Sequence, residues 1–273
     1  MGQISQKIPV AFLITTRGGL ANRLRTVAGF YFVAKCVKRP LYVQWLPDDA
    51  CPAFFSALFQ PIDNVHFVSG KKDCDAVLFT DEIFKFAGQT TIRAILQDFE
   101  SFLLPKKPID ELEQSALEFY AQLTPIENLI NIIEKQKPSF DIDVVYGLHV
   151  RRTDHIELAI NRVGSYTTDE EFFSIIDRHL LESPTAKFYL STDNGGTQKT
   201  FRARYGQKVV FWYKDIDCEP ICDVKKNNLR HTSVEHAVID LFLLAQCKSI
   251  YGSTWSSFST CAKRISFAQK NKK

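Results

Sequence analysis

Short runs of β-branched and aromatic residues alternate along this chain with longer stretches whose apolar positions recur at helical spacing. The first run, Val10 to Thr15, reads as a buried strand. The turn Arg17-Gly18-Gly19 follows it, and a helical pattern extends from Leu20 to about Lys38. Leu41–Trp45 is the next strand, an aromatic helix is expected around Pro52–Phe59, and short strands over His66–Val68, Ala76–Phe79 and Arg93–Leu96. Asp110 to Gln136 is helical with a break at Pro125. The polar stretch Lys135 to Ser139, with its helix-stopping proline, marks a domain junction.

The second half has clearer punctuation. Val144–His149 is an apolar run of strand length, and Ile156–Tyr166 reads as a loop. Thr168 and Glu171 have the spacing of a capping box that opens a helix to Leu181. Lys187–Thr192 is a strand that runs into Asp193-Asn194-Gly195-Gly196 and then a helix to Arg204. Lys208–Tyr213 is another strand and Asp215–Asn228 a polar loop. Thr232 and Glu235 suggest a second capping box before an apolar helix to about Gln246. Ser249–Tyr251 is a short strand, and a closing helix begins near Phe258. Strands alternating with helices predict an α/β protein with mostly parallel sheets. The expected organisation is two Rossmann-like domains facing across a cleft. These are 1–138 on the N-terminal side and 139–273 on the C-terminal side, the last helix being free to pack back on the first domain.

Composition narrows the function classes rather than choosing one. The 273 residues are 45% hydrophobic and 24% charged, ordinary for a globular protein. A net charge of +3 is too mild to argue for nucleic acid or a membrane surface as partner. The seven cysteines (Cys36, Cys51, Cys74, Cys218, Cys222, Cys247 and Cys261) lack framework spacing, which fits free thiols in a reducing compartment. Cys218 and Cys222 are a close pair without the second pair a zinc site needs. The polar opening Met1 to Lys7 is no signal peptide, and Ile8–Thr15 is too short to span a membrane. A cytoplasmic protein is expected.

Candidate chemistry gathers at the ends of strands, where open α/β sheets bind ligands. Gly147-Leu148-His149-Val150-Arg151-Arg152-Thr153-Asp154 is an apolar strand that stops in two arginines, a hydroxyl and a carboxylate. Guanidinium forks match phosphate oxygens and stay charged, so the octet suggests a pyrophosphate site; a solvated charge cluster is the plainer alternative. Gly18 and Gly19 let backbone approach a ligand at a helix start. Asn22 and Arg23 lie in the first turn, where an arginine opposes the macrodipole unless an anion compensates it. Asp240 interrupts an apolar helix and needs a partner: Arg230, a lysine, or the N–H groups of a nucleotide base. Ser253 to Ser257 supplies hydroxyls and N–H groups before the last helix, a second anion cradle. No P-loop, G-x-S-x-G or H-E-x-x-H motif occurs. Asp73-Cys74-Asp75 and Asp215-Ile216-Asp217 have the D-x-D look of a metal-bound sugar-nucleotide site, a pattern that also arises by chance.

Taken together, these segments resemble the fucosyltransferase-like glycosyltransferases. His149 to Asp154 looks like the first motif of the α1,6-fucosyltransferases of animals and rhizobia, and Phe188 to Asp193 the second. Arg230 through Asp240 with Thr254 to Ser257 looks like the third. Arg17 to Arg23 is similar to a Gly-Gly-x-x-Asn-Arg turn of related families, which include the protein O-fucosyltransferases. The resemblance implies a GT-B fold, inversion at the anomeric carbon and no required metal or other cofactor. The donor is a nucleotide sugar, GDP-fucose first, with UDP-xylose or a rhamnose donor as the alternative. The acceptor is a glycan hydroxyl. Carried over, Arg151 holds the β-phosphate and Asp154 orients Arg151. His149 and Asp240 contact the base, Ser256 with Gly18 and Gly19 the pyrophosphate, and Asp193 sits at the lip of the cleft. Thr254, Ser257, Asn22, Arg23 and Arg230 complete the expected donor site. The family's proposed basic glutamate is out of register here, so Asp73, Asp75, Asp81 and Glu157 are rival bases. A non-catalytic glycan- or nucleotide-binding module and a nucleotidyltransferase are the competing functions.

Overall fold

The computed structural model describes residues 11–69, 83–87, 90–100, 109–136, 145–153, 155–214, 216 and 232–271. Packing divides the chain into two units, Met1–Thr124 with Asn271–Lys273, and Pro125–Lys270.

The first unit is a parallel sheet of β1 (Ala11–Thr15), β2 (Leu41–Gln44), β3 (Val65–Val68) and β4 (Ile83–Ala87) in the order β3-β2-β1-β4. Helix α1 (Leu20–Cys36) follows β1 and is buried on most of its circumference, because its sequence is apolar nearly all round. Phe12 of β1, Phe30 of α1 and Phe99 meet with ring centroids 5.5–6.1 Å apart. Helix α2 (Ile92–Asp98) packs on α1 at Gly29, where an added Cβ would come within 2.8 Å of Ile95. This corrects the strand expected at Arg93–Leu96. A short apolar run does not distinguish strand from buried helix. Here the Thr91 hydroxyl accepts from the Ala94 N–H, and Ile92, Ile95 and Leu96 share a buried face. The helix expected over Pro52–Phe59 is only a 3₁₀ turn at Phe55–Ala57, with Phe55 stacked on Phe67. Strand β4 was not legible in sequence, and the strand expected at Ala76–Phe79 lies outside the described residues.

Two short helices, α3 (Ile109–Ser115) and α4 (Leu117–Gln122), lead to Thr124. Helix α5 (Glu127–Gln136) belongs to the second unit, where it packs on the helix that carries Asp240. The change of unit thus falls at Pro125, the break in the helical pattern, ahead of Lys135–Ser139.

The second unit repeats the first unit's topology. Its strands are β5 (Val145–Val150), β6 (Lys187–Thr192), β7 (Val209–Val210) and β8 (Ile250–Gly252), all parallel in the order β7-β6-β5-β8. Between them run α6 (His155–Val163), α7 (Asp169–Glu182), α8 (Gly195–Tyr205) and α9 (Val234–Ala245); α10 (Ser257–Lys270) closes the unit on α9 and β8. Helix α6 replaces the loop expected over Ile156–Tyr166. His155 and Ala159, one turn apart, are buried and anchor it. The capping box at Thr168 and Glu171 is present with both hydrogen bonds. At α9 the cap is Ser233, whose hydroxyl accepts from the His236 N–H, one residue later than the expected Thr232. Strand β7 pairs over two residues only, since Trp212 and Lys214 turn instead toward Asp240.

Candidate functional site

In both sheets the chain's first and fourth strands are neighbours, so the order reverses between them, and in open α/β sheets that reversal is where ligands bind. In the second unit these strands are β5 and β8, and Arg151 to Thr153 leave β5 at this point. The turn after β8 is sewn to them. The Ser253 N–H donates to the His149 carbonyl at 2.9 Å, and the Arg151 N–H donates to Ser253 Oγ at 2.9 Å. Thr254 is held by Thr167, 2.8 Å from its N–H to Oγ1, and by His155 Nε2 at 2.7 Å from its carbonyl. Between these two bonded residues and α10, Trp255 is held at φ +59°, a conformation L-residues adopt at a cost, and its ring is half exposed.

The two arginines have different surroundings. Arg152 is a strut. Its guanidinium bonds Asp169 through Nε and Nη2 and donates to the carbonyls of Arg151 and Thr167 at 3.1 and 3.0 Å. Arg151 faces the pocket with its side chain 24% exposed, its Nε 3.6 Å from Asp193 Oδ2. Asp193 also accepts from the Arg152 N–H at 2.9 Å and the Thr153 hydroxyl at 2.6 Å. It therefore clamps the whole turn. Asp154, expected to orient Arg151, lies outside the described residues.

The pocket is bounded by His149, Arg151, Asp193, Lys214, Asp240 and Phe258. His149 is 6% exposed, stacks on Phe258 at 4.7 Å and has Ser256 Oγ 3.3 Å from Nδ1. Burial, then the charge of Arg151, pushes its pKa down to about 3, so the imidazole is neutral at working pH. Asp240, also buried, accepts from Tyr189 Oη at 2.6 Å, Trp212 Nε1 at 2.6 Å and Ser191 Oγ at 3.0 Å, and forms an ion pair with Lys214. Of the partners the sequence left open for Asp240, the structure supplies a lysine. Lys214, Trp212 and Tyr189 were not anticipated. Nothing in the spacing of 189, 212, 214 and 240 signals that they converge.

The neutral His149 has a testable consequence for stability. Its folded pKa is depressed below the ordinary value of 6.5, so between about 6.5 and about 3 the unfolded chain binds a proton that the folded one refuses. Its contribution is thus intact above about pH 6.5 and erodes as pH falls. Going from pH 7 to 5 should cost the wild type about 2 kcal/mol more than His149→Gln in urea denaturation. Equal losses in both proteins would contradict a buried neutral imidazole.

The remaining expected residues are spread more widely. Gly18, at φ +78°, and Gly19, the N-cap of α1, form the turn after β1. Arg23 is fully buried beneath it, donating to the carbonyls of Gly18 and Leu46 at 2.7 Å each and pairing with Asp48 at 2.5 Å. The anion that compensates this arginine at a helix start is internal. Asn22 accepts from Arg25 at 3.0 Å. Ser257 begins α10, and Glu157 is exposed in the first turn of α6. Asp73, Asp75, Asp81, Arg230 and the Cys218/Cys222 pair lie outside the described residues, as do Asp215 and Asp217. Among the described residues no group of three His, Cys, Asp or Glu side chains is placed to hold a metal, and no helix is long and apolar enough to cross a membrane.

No protein-family model matches the chain, and no curated protein matches it by sequence. Solved structures do match. NodZ α-1,6-fucosyltransferase soaked with GDP-fucose is 17% identical with a TM-score of 0.58, the match covering 93% of this chain and 92% of that one. The same enzyme from Bradyrhizobium gives 17% identity and a TM-score of 0.57 over 93% and 92% of the two chains. POFUT1 in complex with GDP is 12% identical with a TM-score of 0.59, covering 96% and 97%. At such identities the likeness speaks for the fold: this chain has the fold of the fucosyltransferase-like glycosyltransferases.

Proposed function

We propose that the chain is an inverting glycosyltransferase of the GT-B type, which moves a sugar from a nucleoside-diphosphate donor to a hydroxyl of a glycan acceptor without a required metal. The observation that carries this reading is the pocket at the end of β5. There Arg151, its backbone N–H held by the Ser253 hydroxyl, presents a guanidinium beside Asp193 at the strand-order reversal. In the proposed displacement the acceptor oxygen attacks the anomeric carbon, and the bond from that carbon to the β-phosphate oxygen breaks. The electron pair leaves with the nucleoside diphosphate, and Arg151 stabilises the charge where it develops. The hydroxyl proton passes to a carboxylate. Glu157 is the described candidate, exposed on α6, and Asp73, Asp75 and Asp81 are its rivals. Ser256 and the start of α10 are assigned to the pyrophosphate.

The matching structures include one soaked with GDP-fucose and one in complex with GDP, which supports a nucleotide-sugar donor and, by likeness, fucose. The proposed setting is cytoplasmic, with neither nucleic acid nor membrane as partner. The test is donor hydrolysis without acceptor: a transferase slowly releases the nucleoside diphosphate from its donor. Release of pyrophosphate instead would mean a nucleotidyltransferase, and no release from any of GDP-fucose, UDP-xylose and dTDP-rhamnose would mean a binding module.

A further inference from the structure

Trp255 stands where a tryptophan is unfavourable. The Ser256 N–H bonds back to the Ser253 carbonyl at 3.2 Å, closing a four-residue turn whose third residue is Trp255 at φ +59°. Glycine or asparagine suits a positive φ at that position, and an indole gains nothing from it. Burial does not offset the strain, since the residue is 53% exposed. A strained side chain left half open beside a binding site points to function.

The indole is steadied from one side. The His155 ring lies nearly parallel to it, at 17° with centroids 6.5 Å apart, and the Arg162 guanidinium carbon is 5.8 Å from its centre. Positions 155 and 162 are two turns apart on one face of α6. The helix therefore backs the ring, and the exposed half is the face turned away from it.

The sheet order says what that open face meets. Strand β5 lies between β6 and β8. Ser191, Asp193 and Asp240, the last held by Tyr189 and Ser191 of β6, form the part of the pocket on the β6 side of Arg151. Trp255 follows β8, on the other side. A nucleoside diphosphate with its base in the pocket and its phosphates at Arg151 thus directs its far end toward Trp255. In a sugar transfer that end carries the donor's sugar, and the acceptor's sugar meets it there. A sugar ring presents C–H bonds on a face that lies well against an aromatic ring, while its hydroxyls point outward from the rim.

We infer that Trp255 is the platform on which a sugar ring stacks at the reaction centre, the donor's or the acceptor's. The inference rests on the reading of the pocket as the donor nucleotide's site.

The test uses Trp255→Asn, since asparagine tolerates a positive φ and bonds from Ser253 and Thr254 hold the turn without the indole. Calorimetric titration of wild type and variant with GDP-fucose against GDP, and UDP-xylose against UDP, reads the donor's sugar. If that ring stacks on Trp255, the variant binds the nucleotide sugar roughly tenfold more weakly and the diphosphate as before. The acceptor's sugar is read by retention of both proteins, loaded with the diphosphate, on an array of immobilised oligosaccharides. If that ring is the one that stacks, donor affinities stay unchanged and the glycans that wild type retains are lost. Trp255→Phe, which keeps a flat ring, should restore whichever affinity fell. An asparagine variant that matches wild type in both measurements overturns the inference and leaves the transferase reading standing. So does one that fails to fold or loses sugar and diphosphate binding equally, for Trp255 is then structural. Wild type binding none of the four nucleotides overturns both readings.

Discussion

Arg151→Ala is expected to lower turnover roughly a thousandfold while the protein stays folded, because in the proposed displacement the guanidinium acts on charge that exists only as the diphosphate departs. The local architecture predicts the second half of that statement. The turn after β5 is held by the Arg151 N–H on Ser253, by the Arg152 N–H and Thr153 hydroxyl on Asp193, and by the Arg152 guanidinium on Asp169. All of these survive truncation of Arg151. The described contact that is lost is a partly exposed ion pair at 3.6 Å, an interaction worth at most about 1 kcal/mol. Melting temperatures and steady-state rates of donor hydrolysis on the two proteins check both halves. A variant with near-normal turnover would remove Arg151 from the phosphate site. A variant that fails to fold would mean the side chain is a strut like Arg152.

Asp240→Ala should act in the opposite sense, on stability first. It leaves the Lys214 ammonium buried without its counter-charge and takes the acceptor from Tyr189, Trp212 and Ser191 at once. Breaking a buried pair from one side costs roughly 3–5 kcal/mol, a large share of the 5–15 kcal/mol that holds a typical domain. The melting temperature of the second unit should fall by roughly 10 °C. The double variant Asp240→Leu with Lys214→Met should recover much of that loss, since replacing both members of a buried pair by apolar groups is often neutral. An unshifted melting temperature for Asp240→Ala would show that the carboxylate is not satisfied by the chain and would return it to the ligand.

The order of elements was readable where local physics and tertiary context agree. The alternation of buried runs and helical spacing placed β1, α1, β2, β5, β6 and α9 within a few residues, and Thr168 with Glu171 named the start of α7 through a purely local pair of hydrogen bonds. Other segments differ from their expectation for lack of such a signal, Arg93–Leu96 and Ile156–Tyr166 among them. Arg93–Leu96 has the composition of a strand and lies in α2 because Thr91 caps it and α1 receives its apolar face at Gly29. Ile156–Tyr166 reads as a loop, although His155–Val163 is helical, because the helix's outer face keeps Leu158, Ile160 and Val163 exposed and only the burial of His155 and Ala159 marks its inner side.

The sequence by itself determined that this is an α/β chain of parallel βαβ units, and it singled out polar strand-end motifs around Arg151, Asp193 and Ser253–Ser257, with Asp240 on an apolar helix, as the candidate site. Strand and helix patterns follow from spacing of a few residues, and strand ends are where such sheets expose polar groups. Which of two adjacent arginines is a strut, which carboxylate steadies the other, and what satisfies Asp240 were decided only by tertiary structure. Those answers depend on Asp169, Asp193 and Lys214, residues separated from their partners by between 17 and 42 positions along the chain. Their convergence follows from the strand order β7-β6-β5-β8, which sets the ends of β5, β6 and β8 side by side and brings the segment after β7 within reach of α9.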